Sequence, residues 1–145
     1  MKTGNKGEWS EIYTFLKLLA DGRLYAADSD LNRIDNIYYP ILSILRNQVD
    51  GNWKYCRNGN INVIKANDGQ LVLSLPVSKF IEYSEMLYNI IVSSNGNSTF
   101  PAPELEEFLN SINCTTLKAS SIDKSDITLV VHDQFTGFNP TLGFS

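Results

Sequence analysis

Three carboxylates in this chain stand where they could hold a metal ion. Asp126 opens the segment Ser125-Asp126-Ile127-Thr128-Leu129-Val130-Val131-His132-Asp133, and Glu8 and Glu11 lie near the start of a helical run. A magnesium-dependent phosphodiesterase needs carboxylate oxygens held on rigid elements. A hard cation prefers such ligands, and a lysine beside it can polarise the phosphate or activate water. Ile127 to Val131 form a near-continuous apolar strand with an aspartate at each end. Asp126 shares a strand side with Thr128, Val130 and His132, whereas Asp133 shares the side of Ile127, Leu129 and Val131. Aspartates are also ordinary strand ends, so the strand alone decides nothing.

The helical run gives a second reason to look at the acids. At about 100° per residue, Trp9, Ile12, Tyr13, Leu16, Leu19 and Ala20 fill one stripe, widened by Phe15 and Leu18. Ser10, Thr14, Lys17 and Asp21 take the opposite face, but Glu8 and Glu11 fall among Leu18, Phe15 and Ile12. A carboxylate along that packed wall needs a partner, either a metal ion or a lysine. Glu8 also follows Asn5 at capping-box spacing, and acidic residues suit a first helical turn without any ligand.

Other chemistries find less support. His132 is the only histidine and has no Cys or Ser partner at a readable spacing, so a structural role fits it best. Cys56 and Cys114 make no metal framework and read as free thiols, and the sequons at Asn97 and Asn113 matter only on a secretory route. No Gly-rich phosphate loop is present. Tyr25, Tyr38, Tyr39, Trp53, Tyr55 and Phe80 could stack on bases, though aromatics in a β-rich stretch usually pack in the core.

The elements that must position the acids follow from periodicity and turn chemistry. A lead-in at 1–7 precedes a helix from about Glu8 to Asp21, ended at Gly22. Runs rich in β-formers at Leu24–Ala27, Ile37–Leu45, Trp53–Cys56, Ile61–Lys65 and Leu71–Leu75 predict an antiparallel sheet, with Asp30–Ile37 partly irregular or helical. Asn/Asp/Gly clusters at 50–52, 58–60 and 67–69 separate the last four of those runs, because such residues tolerate positive φ. A second helix spans roughly Val77 to Ser93, and a third starts after Pro103 with acids in its first turns. Strands near Thr115–Ala119 and at Asp126–Asp133 follow. Leu142–Ser145 opens another, and an end inside an apolar run reads as a truncated or excised chain.

Composition sets the bounds. The chain has 145 residues, 43% hydrophobic and 11% aromatic, which predicts one folded α+β domain over 1–145 with helices packed on a mixed or antiparallel sheet. No apolar run approaches the roughly 20 residues of a membrane span, and 1–9 lacks a signal-peptide core, so the expectation is a soluble intracellular chain. A net charge of −4 argues against a domain that coats DNA with a broad basic surface. It leaves room for local phosphate contacts.

Two stretches carry a resemblance. Gly4-Asn5-Lys6-Gly7-Glu8-Trp9-Ser10-Glu11-Ile12-Tyr13, continuing from Lys17 to Asp28, closely resembles the start of HpaII-like restriction endonucleases. Lys124-Ser125-Asp126-Ile127, His132-Asp133, Thr136-Gly137 and Leu142-Gly143-Phe144-Ser145 are similar to a later stretch of that family; the middle, 50–120, matches loosely. The resemblance implies a PD-(D/E)xK nuclease core and magnesium-dependent cleavage of double-stranded DNA at CCGG. It implies a bacterial cytoplasmic setting, a companion DNA methyltransferase that is not bound, and possible homodimers. By it the catalytic set is Asp126 with Glu8 and Glu11, and the metal falls to Asp126 and Glu8. Ser145 takes the first position of the acid-x-lysine motif, where a carboxylate is usual, and the family's lysine follows two positions after it. These 145 residues alone are therefore expected not to cleave. The competing expectations are a non-catalytic DNA-binding or regulatory domain, or an unrelated α+β protein-binding domain.

Overall fold

Asn5 starts the first helix. Its side chain accepts from the Glu8 backbone N–H at 2.8 Å, and the Glu8 carboxylate accepts from the Asn5 N–H at 3.1 Å. This reciprocal box satisfies two helix-end donors and begins α1 at Lys6, slightly before the expected start. The computed structural model describes residues 2–48, 51–94, 98–117 and 127–144. Its elements in chain order are β1 (Thr3–Gly4), α1 (Lys6–Asp21), β2 (Arg23–Ala27), β3 (Arg33–Gln48), β4 (Gly51–Asn58) and β5 (Asn60–Lys65). Then come β6 (Leu71–Pro76), α2 (Val77–Ser93), β7 (Phe100–Pro101), α3 (Pro103–Ser111), β8 (Ile127–Val131) and β9 (Thr141–Phe144).

The fold is α+β, as expected, and every strand pairing among the described residues is antiparallel. The main sheet runs β6-β5-β4-β3-β8-β9, with β2 added to β3. The strand β3 is long because it serves two neighbourhoods. Its first half, through Pro40, pairs with β2, while Ser43 to Gln48 pairs with β4 on one side and Ile41 to Leu45 with β8 on the other. The 30–37 stretch is partly irregular, as expected: 30–32 lie outside any strand, and Arg33–Ile37 is strand with Arg33 and Ile34 paired to β2. One sequence-based expectation changes here. Thr115 to Leu117 form no strand, because Gln48 Oε1 takes the N–H groups of Thr115 and Thr116 at 2.9 and 3.2 Å. A side chain replaces the ladder there. The rest of that expected strand, 118–119, lies outside the described residues.

The stripe of α1 is buried as its periodicity requires. Trp9, Ile12, Phe15, Leu16, Leu19 and Ala20 share one core with Ile44, Tyr55, Leu129 and Val131 of the sheet. Phe15 meets Tyr55 edge-on at 4.8 Å, and the Tyr55 hydroxyl donates to Ile112 O. On the helical side, Phe108 of α3 packs on Phe80 and stacks on Tyr83 of α2 at 4.2 Å. No disulfide joins Cys56 and Cys114. Among the described residues no helix is long and apolar enough to cross a membrane.

The C-terminus of α1 is capped from the sheet. Its last turn carries no basic residue, and Arg57 of β4 supplies the cation, donating to Leu19 O at 2.8 Å and Ala20 O at 3.3 Å. Gly22 turns the chain away at φ 69°, where an added Cβ would run into that guanidinium; Gly59 has φ 76° with nothing near an added Cβ. Gly59→Ala should therefore cost about 1 kcal/mol of backbone strain, and Gly22→Ala about 2–3 kcal/mol. Urea unfolding at unchanged m value measures both, and equal losses would contradict the role given to Arg57.

After β8, Asp133 builds the turn to β9. Its carboxylate accepts from the Phe135 N–H at 2.9 Å and the Thr136 N–H at 3.4 Å, and its carbonyl accepts from Gly137. The Phe135 hydrogen bond, first among the causes, holds the carboxyl below its ordinary 3.8. A depressed pKa stabilises the turn above the ordinary value, and that support is lost as pH falls through the lower folded value. Exchange protection at the Phe135 and Thr136 amides should thus drop only below pH 3.8. Asp133→Asn should remove that step. A step centred above the ordinary value would contradict this reading.

Candidate functional site

The two helix acids occupy different environments although they share one helix. Glu8 spends a carboxylate oxygen on the capping box, with both hydrogen bonds at the surface. Glu11, one turn on, is half-buried and has one carboxylate oxygen, Oε1, fully sequestered from solvent. Glu11 precedes Phe15 by one turn on the same helix face. Phe15 is fully buried, so the Glu11 side chain runs along the wall against the core, where the wheel placed it. The cap explains why Glu8 leaves that wall: an acid at this helix position turns back to the N-terminal donors.

Arg46 lies on the same wall and was not legible as a site residue. It follows the Ile37–Leu45 run directly and reads as the polar end of a strand. The sheet continues through it, and Arg46 is fully buried. Its Cζ sits 5.2 Å from the centre of the Phe15 ring, and Nη2 donates to Thr116 O at 2.9 Å. Nε and Nη1 have no hydrogen-bond partner among the described residues. A buried guanidinium of this kind places positive charge beside the Phe15 ring, on the helix face that Glu11 shares.

Gln48 and Tyr55 complete a polar seam beside Arg46. Gln48 Nε2 donates to Asn113 O at 2.6 Å, and its Oε1 takes the Thr115 and Thr116 donors. Together with Tyr55 on Ile112 O, these bonds dock 112–116 onto β3 and β4. That segment leads toward 118–126. Asp126 itself lies outside the described residues, as does Ser145.

On β8, Leu129 and Val131 are fully buried and Thr128 and Val130 are half-buried, so the strand has one core face and one partly open face. Of the two residues just after it, Asp133 is held by its turn. His132 pairs with Asn139, its Nδ1 donating to Asn139 Oδ1 at 2.8 Å, with the tautomer set by that acceptor. His132 also donates its backbone N–H to Pro40 O. Both therefore act as structural residues, in keeping with the expectation for the lone histidine. Among the described residues no group of three or more His, Cys, Asp or Glu comes together to hold a metal ion.

The comparisons with known proteins bear on the whole chain. The profile of the HpaII restriction endonuclease family matches residues 5–145. The type II restriction enzyme HpaII of Haemophilus parainfluenzae is 45% identical over 143 residues, which cover 99% of this chain and 40% of that enzyme. The chain thus spans about 40% of the length of this curated relative. No solved structure matches the chain. A profile match that takes in both the capped acidic helix and the strand pair at the other end shows that the chain belongs to the HpaII restriction endonuclease family.

Proposed function

We propose that the chain is the N-terminal part of a type II restriction endonuclease that cleaves double-stranded DNA at CCGG by magnesium-dependent hydrolysis. The observation that carries this reading, beside family membership, is the Glu11 carboxylate on the α1 wall, with an oxygen sequestered against the core that also contains β8. A PD-(D/E)xK site requires such an acid on a helix facing the strand that starts at the metal-binding aspartate, and Asp126 stands directly before β8. The likeness to a restriction enzyme supports DNA as the substrate. A methyltransferase acting on the same sites would protect the host without binding this chain.

The candidate donors suit the metal. They are carboxylates, the hard oxygen ligands that magnesium prefers. Asp126 would hold the ion, with Glu11 or Glu8 as the helix acid; the buried oxygen supports Glu11, whereas the capping box occupies Glu8. When bound, magnesium supplies Lewis-acid stabilisation of the phosphate and a more acidic water. The chain's own residues do the positioning. The core fixes the helix wall, and Arg46 with Gln48 fixes the segment that approaches Asp126. The chain spans about 40% of its curated relative, so cleavage is proposed for a polypeptide of that relative's full length.

In a polypeptide of that length, Asp126→Ala should abolish plasmid cleavage, while duplex binding without metal survives. Loss of a ligating carboxylate removes the chemistry and leaves the phosphate contacts. Glu11→Gln should lower cleavage by orders of magnitude. Glu8→Gln keeps an oxygen acceptor for the capping box and should change activity little. Near-normal cleavage by Asp126→Ala, measured beside Asp133→Ala, would sink the assignment. A dead Glu8→Gln beside an active Glu11→Gln would reverse the choice of helix acid.

A further inference from the structure

The β2–β3 pairing projects from the main sheet as a two-stranded arm. No residue from Arg23 to Pro40 is buried, so the arm lacks a core of its own, and a lone hairpin is marginal in water. What orders one face of it is a stack of alternating side chains. Arg33 Cζ lies 4.2 Å from the centre of the Tyr25 ring, and Tyr25 lies 5.9 Å from Tyr38. Arg23 Cζ lies 4.2 Å from the Tyr38 ring centre. Tyr25 and Tyr38 are direct cross-strand partners, which sets the stack's register. Arg23 is also hydrogen-bonded to the Tyr25 side chain, which raises its pKa above the ordinary value.

This face does not stand alone. It lines an open cleft with the C-terminal turn of α1, where Lys17 and Arg57 approach. The cleft therefore gathers four cations, Lys17, Arg23, Arg33 and Arg57, against one lining carboxylate, Asp21, which pairs with Lys17 at 3.2 Å. The chain as a whole carries −4, so this is a local concentration of positive charge on an acidic protein. The arm's acids have partners of their own, and one of them pairs with a cation of the stack. Asp28 folds back to accept from the Asp30 and Asn32 N–H groups at 2.9 Å each, and Asp35 pairs with Arg33 at 2.7 Å.

We propose that the Arg23–Tyr38–Tyr25–Arg33 stack and the adjoining Lys17 and Arg57 form the surface that holds the phosphodiester backbone of a DNA duplex. The choice of duplex DNA as partner rests on the endonuclease reading. The chemistry rests on the cleft itself. Stacking on the rings leaves free the in-plane N–H donors that Asp35 and Tyr25 do not take, and it fixes the arginine stems before any anion arrives. Little side-chain entropy is then lost on binding. Because the tyrosine rings face the arginines and each other, they offer no open platform for unpaired bases, which favours a duplex backbone over a single strand.

The test uses the 145-residue chain and a fluorescent DNA duplex, read by anisotropy without divalent metal across a KCl series. With up to four phosphate contacts, log K should fall with log[salt] at a slope of about −3 to −4. Arg23→Gln/Arg33→Gln should lower the magnitude of that slope by about 2, whereas Lys65→Gln/Lys79→Gln, outside the cleft, should leave it unchanged. Arg23→Lys/Arg33→Lys keeps both charges and should restore the slope, which separates lost contacts from a disordered arm. The proposal falls if the wild-type chain does not bind the duplex. It falls equally if the glutamine and control variants share one slope, or if a single strand binds more tightly. The readout needs no metal, so an active Asp126→Ala enzyme would end the metal role given to Asp126 and leave this surface standing, and a chain that does not bind the duplex would end the surface and leave that role standing.

Discussion

The orientation of α1 is the constraint on which everything else in this molecule depends. An apolar stripe fixes which side of a helix is buried, but not how the helix slides or tilts along the sheet. Here both ends are pinned by polar groups. At the start, the Asn5–Glu8 box sets the first turn, and Trp9 Nε1 donates to Phe100 O at 2.8 Å, next to the β1–β7 pairing. At the end, Arg57 holds the last carbonyls and Gly22 diverts the chain into β2. The pins are far apart along the axis, so together they resist both sliding and rotation. Glu11 keeps its place on the wall only while both hold.

The second device is β3. It carries the projecting arm on one half and the centre of the core sheet on the other, and a bulge in its pairing with β8 between Ile41 and Ser43 marks the change. One strand therefore couples the surface cations near Arg33 to the buried Arg46. Pro40 sits at the junction, where its carbonyl accepts from His132 and so ties the arm's root to the end of β8. A displacement of the arm would be felt at the residues that follow β8.

Sequence periodicity carried the fold well wherever one face meets the core. The α1 stripe, the 77–93 helix and the apolar β8 run all follow from burial, which imposes a period that local residues must obey. The misreadings share one cause, polar side chains doing what backbone ladders or core packing usually do. Gln48 absorbed the donors of Thr115 and Thr116, where a strand was expected. Arg46 escaped notice because a charge at the end of an apolar run reads as the surface. Only the third dimension reveals that β4 pairs with it and that the core encloses it. The candidate acids were legible in the sequence, with the metal falling to Asp126 and Glu8. The capping hydrogen bonds that commit a Glu8 oxygen, and the sequestered Oε1 of Glu11, emerge only from the geometry.

An acidic chain proposed to meet DNA must keep its charges apart. A metal-binding centre needs carboxylates, and carboxylates repel the phosphates that must approach it. Spreading basic residues evenly would neutralise the acids without directing the substrate. The arrangement here is uneven: the Glu11 wall lies against the core, while four cations collect in a cleft at the far end of α1 with a single paired aspartate. Screening at physiological salt limits such fields to roughly 8 Å, so the overall −4 counts for little at the cleft, where the nearest charges decide. Net charge is thus the wrong quantity for judging whether this chain meets nucleic acid. What matters is whether the cations are held close together and pre-ordered, and the stacked arm does both.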